Sequence, residues 1–135
     1  MISIDKLYEI FKENPIISTD TRNIIPGSIF ISLKGSNFNG NTFAQEAISS
    51  GAIASIVDEP EYENTEKNIY CVDDCLKTLQ DLATLHRSKL NIPVLAITGT
   101  NGKTTTKELI ACVISNKYNL IATAGNLNNH IGVPL

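Results

Sequence analysis

The stretch Val94-Leu95-Ala96-Ile97-Thr98-Gly99-Thr100-Asn101-Gly102-Lys103-Thr104-Thr105-Thr106 decides how the chain is read. Its apolar start predicts a strand, its two glycines a tight turn, and the residues from Lys103 to about Asn116 a helix. Strand, glycine turn and helix in that order make a phosphate-binding loop. Gly99 and Gly102 let the backbone curl so that its N–H groups converge on phosphate oxygens. Lys103 reaches the terminal phosphates as a point charge, and the Thr104 hydroxyl is placed to hold a magnesium ion. The helix that follows turns its positive dipole end toward the anion. The standard Walker pattern asks for a glycine where Ile97 stands, but the shorter G-x-x-G-K-T is intact. Three β-branched threonines are a poor helix start on propensity. A start that costs propensity fits a site rather than a plain strand–turn–helix corner.

The 135 residues are 42% hydrophobic and 19% charged, an ordinary globular composition that leaves room for a real core. A net charge of -3 without a basic run argues against nucleic acid as a partner. No apolar run approaches the roughly 20 residues needed to span a bilayer. The N-terminus lacks a signal-peptide pattern, so a cytoplasmic protein is expected. Cys71, Cys75 and Cys112 make neither a disulfide framework nor a zinc site, and read as reduced thiols. His86 and His130 are too scattered for a metal cluster.

Upstream of the loop the chain alternates helix and strand. Ile4, Leu7, Tyr8 and Phe11 predict a helix over 3–13, stopped at Asn14-Pro15. Pro26-Gly27 predicts a type II turn feeding a buried strand over 28–33. Asn37 to Asn41 reads as a loop. Thr42 reads as the cap of a helix to about Ser50, closed by Gly51. Strands are expected over 52–57 and 69–72, with an exposed acidic connection from Asp58 to Asn68. A long helix runs from Asp73 or Asp74 to about Lys89, and Pro93 precedes the loop strand. After the loop helix, whose Leu109, Ile110, Val113 and Ile114 should face inward, a strand is expected near 118–123. The fold class is α/β: a small N-terminal unit over 1–80, then the beginning of a P-loop-type ATPase unit over 81–135. Two strands cannot close a doubly wound sheet, and no Asp or Glu follows Glu108 to bind the metal. A piece of a longer enzyme is therefore expected.

Three further stretches are candidates for chemistry. Ser18-Thr19-Asp20-Thr21-Arg22 could cradle a ligand with hydroxyls and phosphates, Arg22 acting as a forked donor. It could equally be a solvated loop with Asp20 turned onto its own backbone. Lys34-Gly35 ends a strand, where ligands of α/β sheets often bind; a solvated lysine fits the spacing as well. Asn126, Asn128 and Asn129 suit a contact loop near the phosphate site or a solvent loop.

With these residues laid out, the chain resembles the Mur ligases, ATP-dependent amide-forming enzymes of peptidoglycan precursor synthesis. Thr98 to Thr105 resembles their ATP loop, which folylpolyglutamate synthases share. Ser18 to Arg22, Pro26-Gly27-Ser28-Ile29-Phe30 and Leu33-Lys34-Gly35 resemble their uridine-nucleotide domain. Thr123 to Pro134 is similar to the branch that joins D-alanyl-D-alanine to a UDP-linked muramoyl tripeptide. The rival branch is the preceding one, which adds the third amino acid; a non-catalytic uridine-nucleotide module is a rival of another class. His130 stands where an acid is common in the family, and Asn41 where a histidine is.

The resemblance implies ATP and Mg²⁺ as cofactors. It assigns Gly99, Thr100, Asn101, Gly102, Lys103, Thr104 and Thr105 to ATP, Lys103 and Thr104 to catalysis and Thr104 to the metal. It assigns Ser18, Thr19, Asp20, Thr21, Arg22, Lys34 and Gly35 to the UDP-linked substrate, and more weakly Asn126, Asn128 and Asn129. The implied reaction phosphorylates the tripeptide carboxylate, and the amine of D-alanyl-D-alanine then attacks the acyl phosphate. The resemblance further implies a monomer of three domains, of which these 135 residues alone would be inactive.

Overall fold

Ile29 and Ile31 lie on one side of strand β2 (Ile29–Ile31) and Phe30 on the other, and all three are buried. That alternation sets the layers, because successive strand side chains point to opposite faces. The computed structural model describes residues 1–123, 125 and 127–135. Four parallel strands form one sheet in the order β1 (Ile17–Ser18), β2, β5 (Ala54–Val57), β6 (Ile69–Cys71). Helices α1 (Ile4–Glu13) and α3 (Cys75–Lys89) cover one face, where Leu7, Ile29, Ile31, Ile56, Leu79 and Leu82 form the main core. Helix α2 (Ala44–Ser49) covers the other, with Ala47 and Ala52 on Phe30. A sheet covered on both faces buries every position, and all four residues of β5 are buried; the one polar member, Ser55, donates its hydroxyl to the Ala44 carbonyl at 2.9 Å. Each large side chain buried there contributes about 1.5–3 kcal/mol.

The helix ends follow the sequence. Ser3 caps α1 by accepting from the Lys6 N–H at 3.4 Å, and Asp74 caps α3 by accepting from the Lys77 N–H at 2.7 Å. Arg87 and Lys89 stand in the last turn of α3, where the helix dipole favours positive charge. The Pro26-Gly27 turn is present: Gly27 has φ +87°, and the Ser28 N–H reaches the Ile25 carbonyl at 3.0 Å.

Four expectations are corrected. The Asn37–Asn41 loop is the closing part of an antiparallel hairpin, β3 (Lys34–Gly35) with β4 (Phe38–Asn39). Thr42 does not cap α2; its hydroxyl donates to the Asn39 carbonyl at 2.9 Å, inside a 3-10 turn over Gly40–Phe43. The expected strands at 94–98 and 118–123 are not strands, since neither meets a ladder partner among the described residues. Strand formers supply propensity, but a strand exists only when its N–H and C=O groups find a neighbour. Helix α4 (Lys103–Ile114) forms as expected, yet Leu109 and Val113 are exposed, at 65% and 72%, because no sheet lies under them. No helix among the described residues is long and apolar enough to cross a membrane.

Candidate functional site

Parallel strands bring their C-terminal ends to one edge, and that edge gathers the polar residues. Beyond β1 lie Thr19 to Arg22, beyond β2 Ser32 to Lys34, beyond β5 Asp58 and Glu59, and beyond β6 the start of α3. The sequence candidates at 18–22 and 34–35 therefore share one edge, on neighbouring strands.

Ser18 is buried and donates to the Asp20 carbonyl at 3.2 Å. The Asp20 carboxylate caps a 3-10 turn (Thr21–Asn23) by accepting from the Arg22 N–H at 3.0 Å. The Arg22 side chain folds back onto the same carboxylate, Nε at 2.9 Å and Nη2 at 2.6 Å. That guanidinium holds the Asp20 carboxyl down at about 2. Asp20 thus turns onto its own backbone, and the Arg22 guanidinium, folded back on it, stays exposed on the surface.

Lys34 is placed differently from a free ligand contact. Its Nζ lies 2.8 Å from Asp58 Oδ1 and 3.0 Å from Glu59 Oε1. Asp58 is held on three sides. Asn41 Nδ2 donates to its Oδ1 at 2.8 Å, the Cys75 N–H at the start of α3 donates to its Oδ2 at 3.3 Å, and its own N–H donates to Asn41 Oδ1 at 2.9 Å. Glu59 accepts from Asn39 Nδ2 at 2.9 and 3.2 Å. Burial alone would push the Asp58 carboxyl up, but the hydrogen bonds from Lys34, Asn41 and Cys75 outweigh it and hold the group below its ordinary value. The bonds from Asn39 and Lys34 lower Glu59, and the two carboxylates raise Lys34.

Asn39, Asn41, Asp58 and Glu59 are absent from the sequence candidates, and the expected exposed connection does not begin at Asp58, whose side chain is only 12% exposed. A signal was available: Asp58 follows a buried strand directly, the position that singles out Lys34.

The glycine loop forms a separate group. Gly99 and Gly102 take φ of +148° and +75°, conformations that suit glycine, and Gly102 stands at the N-cap of α4. The first-turn N–H groups of Lys103, Thr104 and Thr105 have no place in the helix's own ladder and are available to an anion. Lys103 Nζ lies across the loop, 2.5 Å from the Gly99 carbonyl. Its ammonium carries three donors, so this bond leaves two for phosphate oxygens. Thr104 is exposed in the first turn. Its single hydroxyl is an oxygen donor of the kind that suits a Mg²⁺ ion.

Of the asparagines, Asn129 Oδ1 accepts from the N–H groups of Ile131 and Gly132 at 3.1 and 2.7 Å, and so shapes its own turn. Asn128 is exposed, and Asn126 lies outside the described residues.

A parallel sheet with its polar groups at the C-terminal edge, followed by a glycine–lysine loop at a helix N-terminus, defines an α/β chain of the type that nucleotide-binding proteins use. Residues 15–87 match the family model described as Mur ligase family, catalytic domain, and residues 97–135 match the Mur ligase middle domain. The chain belongs to the Mur ligase family. It is 40% identical over 136 residues to the UDP-N-acetylmuramoyl-tripeptide–D-alanyl-D-alanine ligase of Synechocystis, covering 99% of this chain and 30% of that protein. The ligase of the same name from Bacillus subtilis is 40% identical over 121 residues, 88% of this chain and 26% of that one. Among solved structures, a MurF ligase from Thermotoga maritima in complex with ADP superposes with a TM-score of 0.76 at 31% identity, over 88% of this chain and 27% of that one. MurF from Acinetobacter baumannii superposes with a TM-score of 0.78 at 35% identity, over 87% and 26%. The chain thus spans less than a third of the length of these relatives.

Proposed function

We propose that this chain supplies the uridine-nucleotide site and the ATP loop of a ligase that joins D-alanyl-D-alanine to a UDP-linked muramoyl tripeptide in the cytoplasm. The observation that carries this reading is the Gly99–Thr105 loop at the N-terminus of α4, in a chain 40% identical to ligases of that name. An amine does not displace oxide from a carboxylate at useful rates, so that oxygen must first become a phosphate leaving group. Bringing a carboxylate to a triphosphate sets negative charge against negative charge. The Lys103 ammonium and the loop N–H groups offset that repulsion where the transferred group's charge develops. The Thr104 hydroxyl would hold a magnesium ion, which when bound would supply further neutralisation of phosphate charge.

The polar edge at Ser18–Arg22 and Lys34–Gly35 serves the UDP part of the substrate; Asn126, Asn128 and Asn129 are weaker candidates, as substrate-side or metal-side polar contacts. Helix α3 runs unbroken from Cys75 to Lys89 and carries core residues on both sides of residue 80, which favours a seam between the two units at Leu90–Pro93. Calorimetric titration of the 135-residue chain with UDP and with ATP–Mg²⁺ tests the reading. Two independent, additive binding events are expected; mutual exclusion of the two nucleotides overturns the two-site division.

A further inference from the structure

The β3–β4 hairpin has two residues per strand and is not part of the parallel sheet. A hairpin of that size is not stable alone and must be tied down. Its ties converge on two carboxylates. Lys34 and Asn39 face each other in its register; Lys34 reaches Asp58 and Glu59, and Asn39 reaches Glu59. Asn41 then joins Asn39 Oδ1 to Asp58, with both amide donors and the amide oxygen engaged. Asp58 in turn accepts from the first N–H of α3.

We propose that Asp58 is a positioning residue of the uridine-nucleotide site. Through Lys34 and Asn41 it clamps the β3–β4 hairpin to the C-terminal edge of the sheet, so that nucleotide affinity depends on it. This rests on the assignment of UDP to that edge. The chemistry of the clamp is specific. Every group facing the Asp58 carboxylate is a donor: Lys34 Nζ and Asn41 Nδ2 on one oxygen, the Cys75 N–H on the other. An asparagine there has the same shape, yet in either orientation its NH₂ opposes one of those donors.

The test is Asp58→Asn in the 135-residue chain, read by UDP calorimetry and by amide hydrogen exchange. UDP affinity is expected to fall at least tenfold. The amides of Gly35 and Phe38 are expected to exchange at least tenfold faster, while those of Ile31 and Ile56 in the sheet hold within twofold. A purely structural role would instead speed all four amides together, and that result overturns the proposal. So does UDP affinity within twofold of the parent chain. If the parent chain does not bind UDP at millimolar concentration, the assigned ligand fails, and exchange alone decides the clamp: unchanged hairpin amides overturn it, and selectively faster ones support it. If Asp58→Asn does not fold, Glu59→Gln, which loosens Lys34 and Asn39 from the more exposed carboxylate, is judged by the same criteria.

Discussion

Asn41 and Asp58, 17 residues apart, exchange a reciprocal pair of hydrogen bonds: Asn41 Nδ2 donates to Asp58 Oδ1 at 2.8 Å, and the Asp58 N–H donates to Asn41 Oδ1 at 2.9 Å. Asn41 is fully buried. Replacing it with alanine strands the Asp58 N–H, whereas the Asn39 amide oxygen keeps the backbone N–H of residue 41 as a donor. Each buried, unpaired group costs about 1–3 kcal/mol. Asn41→Ala should therefore lose about 1–3 kcal/mol in urea unfolding, with an unchanged m-value. A loss under about 0.5 kcal/mol would mean that water replaces the amide.

The same cluster sets a pH dependence. Asp58 and Glu59 titrate below their ordinary values when folded, so their contribution is present above about pH 4 and is lost as pH falls. Lys34 titrates above its ordinary value, so its contribution is complete below about pH 10 and is lost only as pH rises further. Thermal unfolding should show a plateau across pH 6–9 that falls on the acid side. Lys34→Met should lower the plateau and make the acid fall shallower, because the carboxylates then lose the cation that depresses them. An acid limb unchanged by Lys34→Met would remove Lys34 from the network.

Two glycines should respond differently to alanine. A Cβ on Gly40 would land on the Leu33 carbonyl oxygen and 2.8 Å from the Ser32 carbonyl carbon, both backbone atoms that cannot yield cheaply. Gly40→Ala should cost about 1–3 kcal/mol and disturb the hairpin. Gly102 has open space around it but a φ of +75°. Gly102→Ala should cost about 1 kcal/mol of stability or less, while weakening ATP by displacing the loop N–H groups. Urea unfolding and ATP calorimetry on both variants separate crowding from backbone conformation.

Lys103→Ala should weaken ATP about 10–100-fold, the worth of a charged hydrogen bond, and leave UDP unchanged. Arg22→Ala should do the reverse. Its guanidinium is exposed and, among the described residues, engaged only by Asp20, a pairing that a phosphate can share or replace. If both nucleotides respond to one substitution, the two sites are not separate.

The sequence by itself determined what depends on neighbours in the chain. Gly102 before Lys103-Thr104 was readable because a left-handed turn at a helix N-terminus needs glycine. Helix α1 was readable from the helical spacing of Ile4, Leu7, Tyr8 and Phe11, and α3 from an aspartate cap, Asp74, three residues before the N–H group it satisfies. The buried strands β2 and β5 were readable because β formers and small residues fill them, Ser55 being the one polar member of the two. What needs a distant partner was decided only in three dimensions. Asp58 looked like the start of a solvated acidic connection until the parallel register of β2 and β5 set it beside Lys34 and Asn41. The segments at 94–98 and 118–123 carry strand formers but no ladder, because pairing belongs to the neighbour and not to the segment. Local chemistry writes caps and turns into the sequence, whereas ion pairs and sheet edges appear only when the fold has closed the distance.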